Sequence, residues 1–150
     1  MPTGEISEHD YRALAEFRYQ LRHLLRRGEK AAREAGIEPQ QHQLLLAVRG
    51  MPDGAPCSIG ALAERLQVQH HSTVELVDRL VRSGYVRRHR GQDRRQVLIH
   101  LTAKGEKILR RLAACHRHEL HTALPELIEA MKHLSGQRPA RATRKKSVTT

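Results

Sequence analysis

Apolar residues recur along this chain with two different periods, and the change of period divides it. From Ser7 to about Ala35, Leu14, Phe17, Leu21 and Leu24 return at steps of three and four, with arginines between them, which predicts an amphipathic helix ended by Gly36. "EPQQHQLLLAVRG" predicts a second helix, with Pro39 in its first turn and Gly50 after its end. "MPDGAP" is a loop by composition, and Ser58 is placed to cap a short helix, "IGALAERL". A turn at "QVQ" leads into a helix from about His70 to Ser83, stopped by Gly84.

The period then shortens to two. "YVRRHR" and "RQVLIHL" predict short strands joined through "GQDR" as a hairpin, with Val97, Ile99 and Leu101 alternating with Gln96 and His100 and Leu98 interrupting the alternation, so that both faces are expected to be partly buried. Thr102 can cap a long helix from Ala103 to about His121; Pro125 predicts a break or kink before a closing helix, "ELIEAMKHL". No internal repeat is visible. The predicted fold is mainly α with a small β-hairpin wing: a winged helix-turn-helix domain with long N- and C-terminal helices. Those helices carry apolar stripes without a matching partner in the chain, which implies a homodimer.

The order assigns 1–134 to the folded domain, with a DNA-binding lobe over about 55–101 and dimerisation helices over about 7–35 and 103–134. Residues 135–150 carry five basic side chains and no acidic one, and are expected to be a disordered tail. The whole chain has a formal charge of +11, and the tail's five charges still leave +6 on the rest. That excess favours a polyanionic partner. Aromatic residues make up 3% with no tryptophan, so few platforms exist for stacking single-stranded nucleic acid, which shifts the expectation to a duplex. No apolar run approaches the roughly 20 residues of a membrane span, and no secretory signal is visible. Two cysteines are too few for a disulfide framework, so the expected location is the cytoplasm.

On a helical wheel Thr73, Leu76, Val77 and Leu80 share one side of the helix from His70, with Val81 near the edge. His71, Ser72, Glu75, Asp78, Arg79 and Arg82 fall on the other, and His70 leans toward the domain. Ser72 can donate or accept, Glu75 can accept from a cytosine amino group, and Arg79 can reach guanine or a phosphate. Asp78 and Arg82, at i and i+4, form an expected ion pair. Arg87, Arg88, Arg90, Arg94 and Arg95 crowd the hairpin, opposed locally by Asp93, and such a tip can enter a narrow minor groove. Edge protection needs fewer charges.

Competing chemistry rests on "CHRHELH", where Cys115, His118 and His121 stand at three-residue steps and could serve a metal-dependent sensor or enzyme. On the wheel His118 and His121 oppose Leu109, Leu112 and Leu120, which suits a solvated face better than a ligand set, so no metal or other cofactor is expected. Cys57, just before a helix start, is read as a packed or exposed small residue. No phosphate loop, nucleophile elbow or H-E-x-x-H sequence occurs, and the chain does not read as an enzyme. A third reading is an architectural DNA binder driven by the basic tail.

"LAERLQVQHHSTVELVDRLVRSGYVRR" followed by "GQDRRQVLIHLTAKG" resembles the MarR family of bacterial transcription regulators, over residues from about 10 to 134. The most specific part is the wing pattern of Asp93, Arg95, Leu101, Thr102 and Gly105. The resemblance implies a homodimeric, sequence-specific DNA-binding regulator, a ligand-responsive repressor of pseudo-palindromic operators; members of the family are released by a small aromatic or phenolic ligand, an oxidant or a metal, and a small aromatic or phenolic effector is expected here. It matches His70, His71, Ser72, Asp93 and Arg95 to DNA-contacting positions, and together with Glu75 and Arg79 from the wheel and Arg90 and Arg94 from the hairpin these are the residues expected on double-stranded DNA. Within that set Arg95 enters the minor groove and Asp93 orients it. It also suggests an effector pocket near His23, Arg26, His42 and Leu46. Gln69 stands where the family often has a capping Ser or Asp, and the first helix lacks the cysteine of peroxide-sensing members.

Overall fold

The computed structural model describes residues 4–136. Seven elements follow in order: α1 (Glu8–Glu34), α2 (Pro39–Arg49), α3 (Ile59–Leu66), α4 (His70–Arg82), β1 (Val86–Arg90), β2 (Val97–Leu101) and α5 (Ala103–Leu134). They group into two compact units, one of residues 26–118 and one of the described residues up to 25 and from 119 onward. All but two residues of the expected basic tail lie outside the described residues.

In the 26–118 unit, each helix end has a local cause. Pro39 opens α2, and the Glu38 amide donates to Gln41 Oε1 at 3.0 Å. Ser58 Oγ accepts from the Ala61 amide at 3.2 Å, capping α3 as its position predicts. Gln67 takes a left-handed conformation, φ 54°, which turns the chain from α3 into α4 within three residues. Gln69 makes no side-chain cap for α4; instead Thr73 Oγ1 donates back to the Gln69 carbonyl at 3.1 Å, satisfying a buried hydroxyl.

The core of this unit is aliphatic. Leu44 and Leu45 of α2, Leu62 of α3, Leu76, Val77 and Leu80 of α4, Val86 and Ile99 of the hairpin, and Leu109 and Leu112 of α5 meet in one cluster with Ala32 and Ile37. At about 1.5–3 kcal/mol per fully buried large aliphatic side chain, this convergence is the main source of stability. Thr73, Leu76, Val77 and Leu80 are the buried face of α4, as the wheel separates them.

The two strands pair antiparallel, Val86 with Leu101 through Arg90 with Val97. A short third edge joins them: Ser58 bridges Leu98, and the Ile99 amide donates to the Cys57 carbonyl at 2.9 Å. Both faces of β2 are partly covered, as its interrupted alternation leads one to expect. Ile99 is buried, but Val97 is 37% exposed, because it pairs with Arg90 at the open end of the hairpin. Leu98, on the opposite face, is half-buried and lies close to Gly91.

The helix after the wing differs from expectation. α5 is continuous through Pro125, with no break before a closing helix. Proline removes one N–H from the ladder, but its fixed φ near −65° is itself helical, so the turns on either side continue.

A tight junction joins α4, the wing and α5. Gly84 ends α4 at φ 76°, a conformation that favours glycine. Thr102 Oγ1 donates to the Gly84 carbonyl at 2.5 Å and accepts from the Gly105 amide at 3.1 Å, while the Thr102 amide donates to the Tyr85 carbonyl at 3.0 Å. Lys104 donates to the Ser83 carbonyl at 2.7 Å and sits 4.6 Å above the Tyr85 ring. A Cβ on Gly105 would stand 2.0 Å from the Tyr85 carbonyl oxygen.

In the other unit Ala13 and Ala130 are buried. Gln20 Nε2 bridges Glu16 and Glu126 at 2.8 and 2.9 Å, and His9 Nε2 lies 3.2 Å from His133 Nδ1. Beside these contacts Tyr11, Leu14, Leu124, Ile128 and Met131 remain exposed, Met131 by 51%. Among the described residues no helix is long and apolar enough to cross a membrane.

Gly105→Ala is expected to destabilise the protein by about 3 kcal/mol, since backbone rather than a pliable side chain must retreat. Chemical denaturation of the variant against wild type measures this; a loss below about 1 kcal/mol would show that the junction yields.

Candidate nucleic-acid interface

The polar face of α4 opens to solvent. His70, His71, Glu75 and Arg79 are exposed, while Ser72 and Asp78 are half-buried. His70 does not lean into the domain: it is exposed and edges a groove with Ala63, Glu64, Gln67, Val68, Gln69 and Ser72. Position in the first turn, where the helix has just left its partner α3, gives both histidines access to solvent.

Asp78 and Arg82 do not form the expected pair. Asp78 is bonded instead to Arg88 of β1, which ties the recognition-type helix to the wing. Arg88 shares the inward-facing register of Val86, so its guanidinium is carried toward α4, while Arg82 is exposed. An open groove runs beside this pair, lined by Glu75, Asp78, Arg79, Val81, Arg82 and Arg88.

The wing tip carries Arg90, Asp93, Arg94 and Arg95, all exposed. Its turn is closed by the Gly91 amide donating to the Gln96 carbonyl at 3.0 Å and the Gln96 amide donating to the Asp93 carbonyl at 2.9 Å. Asp93 Oδ1 accepts from the Arg95 backbone amide at 3.0 Å. The carboxylate therefore fixes the backbone that presents Arg95 while leaving its guanidinium to solvent. This is an aspartate turn of the kind that orders short loops.

The four residues suggested for an effector pocket fall in both units. His23 packs edge-on against Tyr19, with ring centroids 4.5 Å apart, in the unit that holds residues up to 25. In the 26–118 unit Arg26 and Leu46 are exposed and His42 is half-buried. Burial holds the His42 imidazole below its usual pKa near 6.5, and the nearby His116 pushes in the same direction. His116 was missed by the sequence reasoning. Its Nδ1 is buried without a hydrogen-bond partner and lies against Gly28. The signal was available, because His116 follows Leu109 and Leu112 at helical spacing on the buried stripe.

Cys115, His118 and His121 are exposed on α5. Among the described residues no group of three or more His, Cys, Asp or Glu side chains is arranged to hold a metal ion. The Cys57 thiol is half-buried, and burial raises its pKa above the usual range, which disfavours the thiolate.

Two helices in a tight turn, with a basic hairpin pinned to the second, define a winged helix-turn-helix protein. Residues 35–96 match the model of the MarR family. A curated relative, an uncharacterized HTH-type transcriptional regulator YfiV of Bacillus subtilis (strain 168), is 35% identical over 75 residues, 49% of this chain and 44% of its own length. The chain thus spans less than half of that relative. Similar solved structures include AbsC, a MarR family transcriptional regulator from Streptomyces coelicolor, with TM-score 0.68 and 22% identity over 90% of this chain and all of that one. A mutant of S. aureus MepR bound to an oligodeoxyribonucleotide matches with TM-score 0.62 and 21% identity, over 89% of this chain and all of that one. These likenesses establish the fold.

Because the folded state holds His42 neutral below its usual value, its contribution to stability is complete above pH about 6.5 and declines as pH falls through the depressed folded value. The melting temperature of wild type should therefore fall on mild acidification more steeply than that of His42→Gln; parallel curves would exclude this coupling.

Proposed function

We propose that this protein is a homodimeric, sequence-specific DNA-binding transcription regulator. The observation that carries the reading is the arrangement of α4 and the wing. An exposed polar helix face and an arginine-tipped hairpin belong to one unit, joined by Asp78 and Arg88. In a duplex complex α4 would enter the major groove, with His70, His71, Ser72, Glu75 and Arg79 as the side chains nearest the bases. Arg90, Arg94 and Arg95 would follow the backbone into the neighbouring minor groove, where narrow width strengthens the negative potential. The match of residues 35–96 to the MarR family model supports the same reading, as does a structural relative bound to an oligodeoxyribonucleotide. A regulator of this kind works where the DNA is, in the cytoplasm, and needs no catalytic centre.

A pair of recognition helices must sit about 34 Å apart to engage successive major grooves, so the reading requires two copies. The exposed apolar faces of α1 and α5, with Leu14, Leu124, Ile128 and Met131, supply a surface for the second copy. An effector that binds a mis-spaced dimer better than a correctly spaced one lowers DNA affinity by linkage, which is how repression would be relieved. Within the 26–118 unit the half-buried His42 and the unpaired His116 Nδ1 favour a small aromatic or phenolic effector, whose hydroxyl could satisfy that nitrogen.

Arg95→Ala should weaken binding to the operator by about 1–3 kcal/mol, roughly tenfold to a hundredfold in Kd, while dimerisation is unchanged. A mobility-shift titration returning wild-type affinity would exclude the wing from the interface. Affinity should also fall steeply with salt, and Arg94→Ala should reduce the slope of log K against log salt by about one. Ile128→Asp should yield monomers in light scattering and lose operator binding together; a dimer persisting in this variant would move the interface elsewhere.

A further inference from the structure

The outer face of the hairpin carries a histidine pair that the DNA reading does not use. In the strand register Val86, Arg88, Leu101 and Ile99 share the face turned to α4, and Arg87, His89, Leu98 and His100 share the opposite one. His89 and His100 are both exposed there. Their Nε2 atoms are 2.9 Å apart while their ring centroids are 3.8 Å apart, so the rings close toward each other at their Nε2 edges.

We infer that His89 and His100 form a two-imidazole binding site for a borderline divalent transition metal that prefers right-angled coordination, the class of Ni²⁺ and Cu²⁺. Metal–imidazole bonds of about 2.0–2.1 Å meeting at 90° place two nitrogens about 2.9 Å apart, whereas tetrahedral zinc asks for about 3.3 Å. The nitrogen separation in the hairpin matches two adjacent corners of a square or octahedron; aiming both rings at one ion also requires their centroids to open from 3.8 Å to about 4.5 Å, a side-chain rotation that leaves the strands in place. The remaining positions belong to water, since the pair stands on an open surface.

The protonation chemistry is favourable. In the free pair one Nε2 donates to the other, so one ring carries its proton on Nε2 and the other on Nδ1. Binding moves the first ring's proton to Nδ1, leaving both Nε2 lone pairs on the metal with no net proton released. His100 is held below its usual pKa by desolvation, by His89 and by Arg87. Arg87 pairs directly with His100 across the strands, and its charge opposes the cation as it opposes the proton. Antiparallel pairing holds the second imidazole beside the first, so the second bond forms at high effective concentration.

Ni²⁺ is the probe of choice because it does not oxidise Cys57 or Cys115. Untagged full-length protein is titrated with Ni²⁺ at neutral pH, by calorimetry and by paramagnetic loss of backbone amide signals. Signal loss centred on residues 87–91 and 96–101 is expected. His89→Gln and His100→Gln should each weaken Ni²⁺ binding by about tenfold or more, while Arg87→Gln tightens it. Both histidines are exposed, so thermal stability should stay near wild type in these variants. Signal loss centred on other histidines, or a His89→Gln/His100→Gln double variant that binds as wild type does, overturns the site. The experiment uses no DNA, so its failure leaves the regulatory reading intact.

Discussion

The approach of the Tyr85 carbonyl to Gly105 constrains everything around it. At that point α4 has just ended, β1 is about to begin, and α5 starts its first turn. No side chain fits between them. Thr102 uses both capacities of its hydroxyl, donating to Gly84 and accepting from Gly105, so it caps α5 and anchors the end of α4 at once. The hairpin thus leaves and returns at a fixed place relative to α4, because three backbone elements share one set of bonds.

Polar contacts then set the details that the aliphatic core leaves free. Core residues such as Leu80, Val86 and Ile99 settle which face of the hairpin turns toward α4. They do not decide where its arginines point. Arg88 is drawn to Asp78, and Asp93 gives its carboxylate to the Arg95 backbone. Of the wing arginines, one therefore serves the protein's own architecture while Arg90, Arg94 and Arg95 stay exposed at the tip. Surface ion pairs contribute little stability as a rule. The value of Asp78–Arg88 lies in fixing the angle between wing and helix.

Periodicity made most of the fold legible. The helices, the change to period two and the buried face of α4 follow from apolar spacing, and the α3 cap from one serine. What escaped was decided by contacts distant in sequence. Asp78 has Arg82 one turn away on its own helix, and the wheel cannot see Arg88 ten residues on across a turn. Val97 alternates correctly, but at a hairpin end nothing covers it. Pro125 is a breaker by propensity, yet one missing donor does not stop a helix whose neighbours remain bonded. His116 stands among polar neighbours that mask the apolar stripe, although its spacing from Leu112 places it there.

Histidines illustrate how place, rather than residue type, fixes chemistry in this protein. The adjacent pair His70 and His71 are both solvent-exposed at the start of a helix, where successive side chains diverge by about 100° and chelate poorly. His42 is half-buried, and that burial favours its neutral form, while His116 keeps a buried Nδ1 without a hydrogen-bond partner. His89 and His100 come from different strands and meet at their nitrogen edges. Sequence adjacency on a helix separates imidazoles, while strand pairing brings distant ones together. On that argument the hairpin, rather than the start of α4, is where two imidazoles are placed to share one ligand.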